Sequence, residues 1–294
     1  MVAAVSEAGA LGTIGPNAGA KTAADGRRIG TEERLRNEFR LARTLTTRPV
    51  GINVYSPPEG TAVAPYTRTL LEVSFDEGIR HFAIVGTANS ELYRLVKDGG
   101  GIIIHRELTP TPDEARRAEA LGADLLVATG TDEGGWLPQN GIGTFTIVPT
   151  IVDAVSIPVL AAGGINDIRG VRAAFALGAQ GVYVGTRFVA STECPAAEST
   201  KREIINRGGS SLVFATPKQR STPTPYALAL NAELRSGTPG KELEERVEQN
   251  GGLRPAMLEG MHDKGIISVN TGIDLIKEIK PCADIVKELM ADFM

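Results

Sequence analysis

Ile157-Pro158-Val159-Leu160-Ala161-Ala162-Gly163-Gly164-Ile165-Asn166-Asp167 is followed, one helix-length stretch later, by Gly181-Val182-Tyr183-Val184-Gly185-Thr186-Arg187-Phe188. Each half reads as a short apolar strand that runs into glycine. Gly163 and Gly164 close the first strand and open a helix. Without Cβ atoms they allow close approach to the backbone, and their N–H groups can face an anion. Gly185-Thr186 closes the next strand, with Thr186 adding a hydroxyl donor. A Gly-Gly pair alone could serve any tight turn. Two successive strand ends of this kind instead match the phosphate site that (β/α)8 barrels form after their last two strands.

The same rhythm extends toward the N-terminus. Strands are expected at residues 11–14, 50–55, 81–85, 101–106, 124–129, 158–162 and 181–188, with helical patterns between them such as 31–45, 90–97, 113–121 and 167–177. Runs such as Ile102-Ile103-Ile104 and Leu125-Leu126-Val127 show no polar alternation, as expected of parallel strands covered on both faces. Pro112 and Gly122 mark the two ends of one helix. Strand–helix alternation at this spacing predicts a TIM-type (β/α)8 barrel.

Only seven strands are expected, because the chain opens in what reads as the helix after strand one (residues 2–8). The barrel is therefore expected to lack its first strand, with Met1 read as a truncated or misassigned start; the alternative is a natural chain that fills the gap with another segment. After residue 191 the rhythm stops, with helix-like stretches at 196–207 and 241–249, no convincing strand, and a last amphipathic helix over 273–290. The expected organisation is a barrel over 1–191 holding strands two to eight, a mostly helical insertion or lid over 192–266, and a closing helix of the barrel over 267–294. A structural or dimerisation role for the insertion is the alternative.

Composition narrows the function classes. The 294 residues carry a net charge of -4, with 42% hydrophobic and 22% charged residues, so no basic footprint for nucleic acid exists. No apolar run approaches the ~20 residues that a membrane-spanning helix needs. The opening Met1-Val2-Ala3-Ala4-Val5 carries no basic leader and is not expected to be a signal peptide. Cys194 and Cys282 form neither a disulfide framework nor a metal motif, so no metal is expected. The two cysteines suit a reducing, cytoplasmic compartment; a small-molecule partner and a homo-oligomer are expectations that composition leaves open.

The stretch Pro149-Thr150-Ile151-Val152-Asp153-Ala154-Val155-Ser156-Ile157-Pro158-Val159-Leu160-Ala161-Ala162-Gly163-Gly164-Ile165 resembles the nitronate monooxygenase family. That family includes FMN-dependent enoyl-acyl-carrier-protein reductases and NADH:quinone reductases. The likeness continues through Leu177-Gly178-Ala179 and Val184-Gly185-Thr186-Arg187-Phe188. It is also visible at Ala8-Gly9-Ala10-Leu11-Gly12, at Gly51-Ile52-Asn53-Val54 and over residues 118–128.

The resemblance implies FMN, with contacts at Asn53, Gly134 and Gly164, and at Tyr183, Val184, Gly185 and Thr186; Gly163 joins them on the reading of its strand end given above. Asn53 has a plainer reading as a turn cap. Where members often carry Gln, this chain has Thr129, which implies a shorter or water-mediated flavin contact.

The family's usual Glu-Ala-Gly-Gly-His, whose His is the catalytic base, reads here Asp132-Glu133-Gly134-Gly135-Trp136. An indole N–H only donates, so Trp136 cannot be a general base. It either packs on substrate or flavin, or fills the vacated space. Asp132 and Glu133 are candidate bases, or else loop charges or a cap on the next helix. His105 is a further candidate, expected near the C-terminal end of its strand. His81 should lie at the opposite barrel face, and His262 falls in the insertion without a readable role.

Removing a carbon-bound proton from a neutral nitroalkane needs a base, whereas a nitronate is already an anion. The resemblance then implies an FMN-dependent oxidoreductase that oxidises alkyl nitronates with oxygen. The alternatives are an enoyl or quinone reductase with NAD(P)H as co-substrate, and a flavin-binding degenerate barrel without turnover.

Overall fold

The computed structural model describes residues 1–19, 22 and 26–293. Met294, the last residue of the expected closing segment, lies outside them. Among the described residues seven strands form one sheet in sequence order: β1 (Gly12–Ile14), β2 (Val50–Tyr55), β3 (His81–Val85), β4 (Ile102–Arg106), β5 (Leu125–Thr129), β6 (Val159–Ala162) and β7 (Gly181–Tyr183). The pairs from β1 to β5 are parallel, with Asn53 opposite Ala83 and Ala83 opposite Ile104. The helices are α1 (Val2–Glu7), α2 (Thr31–Leu45), α3 (Pro65–Asp76), α4 (Ser90–Asp98), α5 (Pro112–Ala120), α6 (Thr144–Val152), α7 (Ile168–Ala176) and α8 (Thr186–Val189). This is the element order of a TIM-type (β/α)8 barrel without its first strand.

Local chemistry accounts for most boundaries. Asn89 caps α4 by accepting from the Leu92 N–H (2.9 Å). Thr111 caps α5 by accepting from Glu114 (3.2 Å), with Pro112 in the first turn where its missing N–H costs nothing. Asp167 caps α7. The strands bury apolar side chains almost completely, as with Ile52, Phe82, Ile84 and Ile103, each at 0% exposure.

The chain divides into two compact units. One comprises Val2–Ala128 and Thr150–Leu160, the other Thr129–Pro149 and Ala161–Met294 with Met1.

The sequence reading differs from the structure in three places. The last barrel strand, expected over 181–188, ends at Tyr183, and Thr186–Val189 is helical. Gly185 turns the chain (φ -117, ψ -74), which a strand cannot accommodate.

The region after α8 is mostly helical, with α9 (Glu198–Asn206), α10 (Pro225–Arg235), α11 (Gly240–Gln249) and α12 (Arg254–Met257). It also holds an antiparallel hairpin that the sequence reading missed, β8 (Val213–Thr216) and β9 (Gln219–Ser221). Its strands are too short for a periodic signal. It forms because Ala215 packs with Leu230 of α10 and with Leu243 and Val247 of α11 in a core of its own.

The helix expected over 273–290 is instead a single 3-10 turn (Ile273–Leu275) followed by α13 (Cys282–Leu289). Pro281 separates the two, since its ring excludes the preceding residue from helical backbone.

Candidate active site

The loop after β5 is held from several directions within the second unit. Asp132 Oδ2 accepts from the Thr144 N–H (2.7 Å) and so caps α6, while its Oδ1 accepts from the Thr271 hydroxyl (3.3 Å). Glu133 is buried, and its N–H closes a turn onto the Gly130 carbonyl (3.1 Å). A side chain on Gly134 would sit 2.5 Å from the Val269 carbonyl carbon and 2.8 Å from the Asn270 nitrogen. Glycine is thus required there by the returning chain itself. The Gly135 N–H donates to Ser268 Oγ (2.7 Å), and that of Leu137 to the Lys218 carbonyl (2.8 Å). Trp136 is half-buried, with Lys218 Nζ 5.0 Å from its ring centroid. That ammonium also pairs with Glu244 (3.1 Å).

The loop after β6 turns on two left-handed glycines, Gly163 (φ 110) and Gly164 (φ 71). A Cβ on Gly163 would lie 2.5 Å from Thr144 Oγ1 and 2.9 Å from the Gly130 carbonyl oxygen, so the two loops meet there. Thr144 Oγ1 donates to the Gly163 carbonyl (3.0 Å) and joins them.

Asn166 and Asn270 exchange amide hydrogen bonds at 2.9 and 2.8 Å. The Asn270 N–H donates to Thr186 Oγ1 (3.1 Å). Because the Thr186 oxygen accepts that bond, its own proton is left to donate elsewhere. At Gly185, by contrast, an added Cβ meets nothing within 4 Å. Tyr183 ends β7, and Val184 links it to this open position.

In the other unit, Asn53 lies on β2 with its Oδ1 buried and without a hydrogen-bond partner. Its register with Ala83 and Ile104 puts it on one sheet face. Leu125 is opposite Ile104 and shares that face. At the end of β5, the buried Thr129 Oγ1 also has no partner.

His105 is on the opposite face. Its ring packs edge-on against Tyr93 of α4, with centroids 6.0 Å apart. It lines a cavity of about 10 Å³, the room one water takes, together with Glu107, Thr111, Ala115 and Ile151. Burial pushes its imidazole down to about 4, so it is neutral near pH 7. The structure therefore groups Asp132, Glu133, Gly134, Trp136, Gly163, Gly164 and Thr186 around linked loops, and leaves His105 against the helix layer.

Four residues absent from the sequence reading emerge from tertiary contacts: Thr144, Lys218, Arg220 and Asn270. The only local signal was the stretch Ser268-Val269-Asn270-Thr271-Gly272, in which the structure buries the polar Ser268 and Asn270. Arg220 and Lys218 gave none, because their hairpin was not foreseen.

Within the second unit, the buried, partnerless Thr129 Oγ1, the Thr186 proton and the open space at Gly185 suit a phosphate-bearing flavin. A family model described as nitronate monooxygenase matches residues 1–292. Probable nitronate monooxygenases from Staphylococcus aureus strains MRSA252 and JH9 are 30% and 31% identical, over 86% of this chain and 75% of theirs. FabK from Thermotoga maritima superimposes with a TM-score of 0.83 at 31% identity, covering 99% of this chain and 87% of that one. A nitroalkane oxidase from Streptomyces ansochromogenes does so with a TM-score of 0.76 at 26% identity, covering 99% and 90%. Among the described residues no helix is long and apolar enough to cross a membrane. The chain belongs to the nitronate monooxygenase family and is an FMN-dependent oxidoreductase.

Proposed function

We propose that this enzyme oxidises alkyl nitronates with oxygen and turns over neutral nitroalkanes only negligibly. FMN, when bound, supplies the electron-accepting ring. The chain's own residues bind and orient it: Gly163, Gly164, Gly185 and Thr186 at the phosphate, and Asn53, Thr129, Gly134, Tyr183 and Val184 as further contacts.

The observation that carries the substrate reading is Trp136 at the position of the usual base, with Lys218 over its ring. An indole takes no proton near neutral pH. Its neighbours do not replace it. Both Asp132 carboxylate oxygens are engaged by Thr144 and Thr271, and Glu133 is buried beside the Arg220 guanidinium. His105 faces the helices. A substrate that arrives already deprotonated needs none of them.

The test is oxygen uptake near pH 7 with ethyl nitronate and with nitroethane. Nitronate is expected to be oxidised, with nitroethane slower by at least ~10²-fold, the usual worth of a general base. Comparable rates on both would overturn the substrate reading. Consumption of NADH or NADPH with a quinone or enoyl thioester, and none with nitronate, would replace it by reductase activity. FMN binding without turnover on any of these would make the chain a flavin-binding barrel.

A further inference from the structure

Arg220 is on β9, beyond the barrel's last strand, yet its guanidinium reaches back to the loop after β5. It donates to the Thr131 carbonyl at 3.1 Å and to the Glu133 carbonyl at 3.4 Å. The side chain is buried and lies over the Phe214 ring, 5.4 Å from its centroid. Between those two carbonyls, that of Asp132 is taken by another donor, the Thr271 N–H at 2.9 Å. Successive carbonyls of the loop are thus assigned alternately to Arg220 and to the returning chain.

A trans peptide is planar, with its N–H opposed to its C=O. The N–H groups of Asp132 and Gly134 belong to the same peptides as the Thr131 and Glu133 carbonyls. Both therefore point away from the guanidinium, two residues apart along the loop. Among the described residues neither N–H has an acceptor. The next donor, Gly135 N–H, is already committed to Ser268 Oγ.

We infer that Arg220 is a positioning residue, which by holding two carbonyls aims the Asp132 and Gly134 N–H groups at an acceptor oxygen of the flavin nucleotide. This rests on the flavin reading above. An arginine suits the task because its planar fork reaches two carbonyls at once, whereas a lysine is a single point of charge. The loop geometry at the cofactor is then set by a hairpin outside the barrel.

The experiment compares wild type, Arg220→Met and Arg220→Lys. Amide hydrogen exchange is followed in flavin-free protein, and FMN affinity is read by titrating the apo-protein and following flavin fluorescence. In Arg220→Met, exchange over residues 131–137 is expected to rise roughly ten-fold relative to peptides from β6, β7 and α9. FMN affinity is expected to fall by a similar factor, the worth of one charge-assisted hydrogen bond, with Arg220→Lys between.

Unchanged exchange over 131–137, or a rise in the same proportion everywhere, would overturn the positioning role. A local rise with unaltered FMN affinity would overturn the aim at the flavin. If wild type takes up no FMN, the flavin reading falls, while the exchange comparison still decides whether Arg220 holds the loop. Should Arg220→Met fail to fold, Arg220→Lys carries the same comparison.

Discussion

Gly163, Gly164 and Gly185 are all glycines for different reasons. Gly163 needs its positive φ and has Thr144 Oγ1 where a Cβ would go; Gly164 needs φ 71. Gly185 has an unremarkable φ of -117 and open space before it. Gly185→Val is therefore the cleaner probe of the proposed phosphate site, because the folded backbone accepts the side chain. It is expected to purify with an unchanged melting temperature and essentially no flavin absorbance. A yellow Gly185→Val protein would remove this position from the phosphate site. Gly164→Val would also lose flavin, but the left-handed backbone adds strain of about 1–3 kcal/mol, so stability must be measured beside it. At this scale the glycine pattern was legible from the amino acids, whereas the commitment of Asp132 to capping α6 was not. The partners that engage its carboxylate, Thr144 and Thr271, are 12 and 139 residues away.

The hairpin β8–β9 is the element that most changes the account of the site. It delivers Lys218 to the face of Trp136 and Arg220 to the loop carbonyls, and α10 and α11 pack behind it. Leu243 of α11 is wholly buried in that small core. Leu243→Ala is expected to cost about 2–5 kcal/mol in urea unfolding. It should also loosen the attachment of Lys218 and Arg220, and so weaken FMN retention. A destabilised variant with full FMN occupancy would show that the hairpin does not support the site. Three- and four-residue strands carry too few positions for alternation to register, which is why a region read as helices and breaks contained a hairpin.

On the scale of the whole molecule, His105 links pH to stability. Its imidazole is neutral in the folded chain down to about 4, against 6.5 when exposed. Between those values the unfolded chain binds a proton that the folded chain refuses. Stability therefore falls as pH drops from 6.5 through 4, with nothing lost above that window. Burial acts oppositely on Glu107, holding its carboxyl above the usual range, so its cost appears as pH rises. His105→Gln isolates the imidazole contribution. Between pH 7 and pH 4.5 wild type should lose about 2–3 kcal/mol more than the variant in urea unfolding. Parallel losses would mean that His105 is accessible to protons in the folded state.

From the amino acids alone came the parallel strand–helix rhythm, the seven strands of the main sheet and the paired glycine turns. All are local: apolar runs, capping residues and glycines act through their own backbone or that of near neighbours. Only the tertiary structure decided which side of a strand His105 faces, because the phase of a strand buried on both faces is not written in its composition. It alone brought residues 218, 220 and 270 to the loops after β5 and β7. The hydrogen bonds that Arg220 and Asn270 make across the fold join residues 84 to 104 positions apart. Such bonds depend on where the chain returns, and no local preference encodes that return.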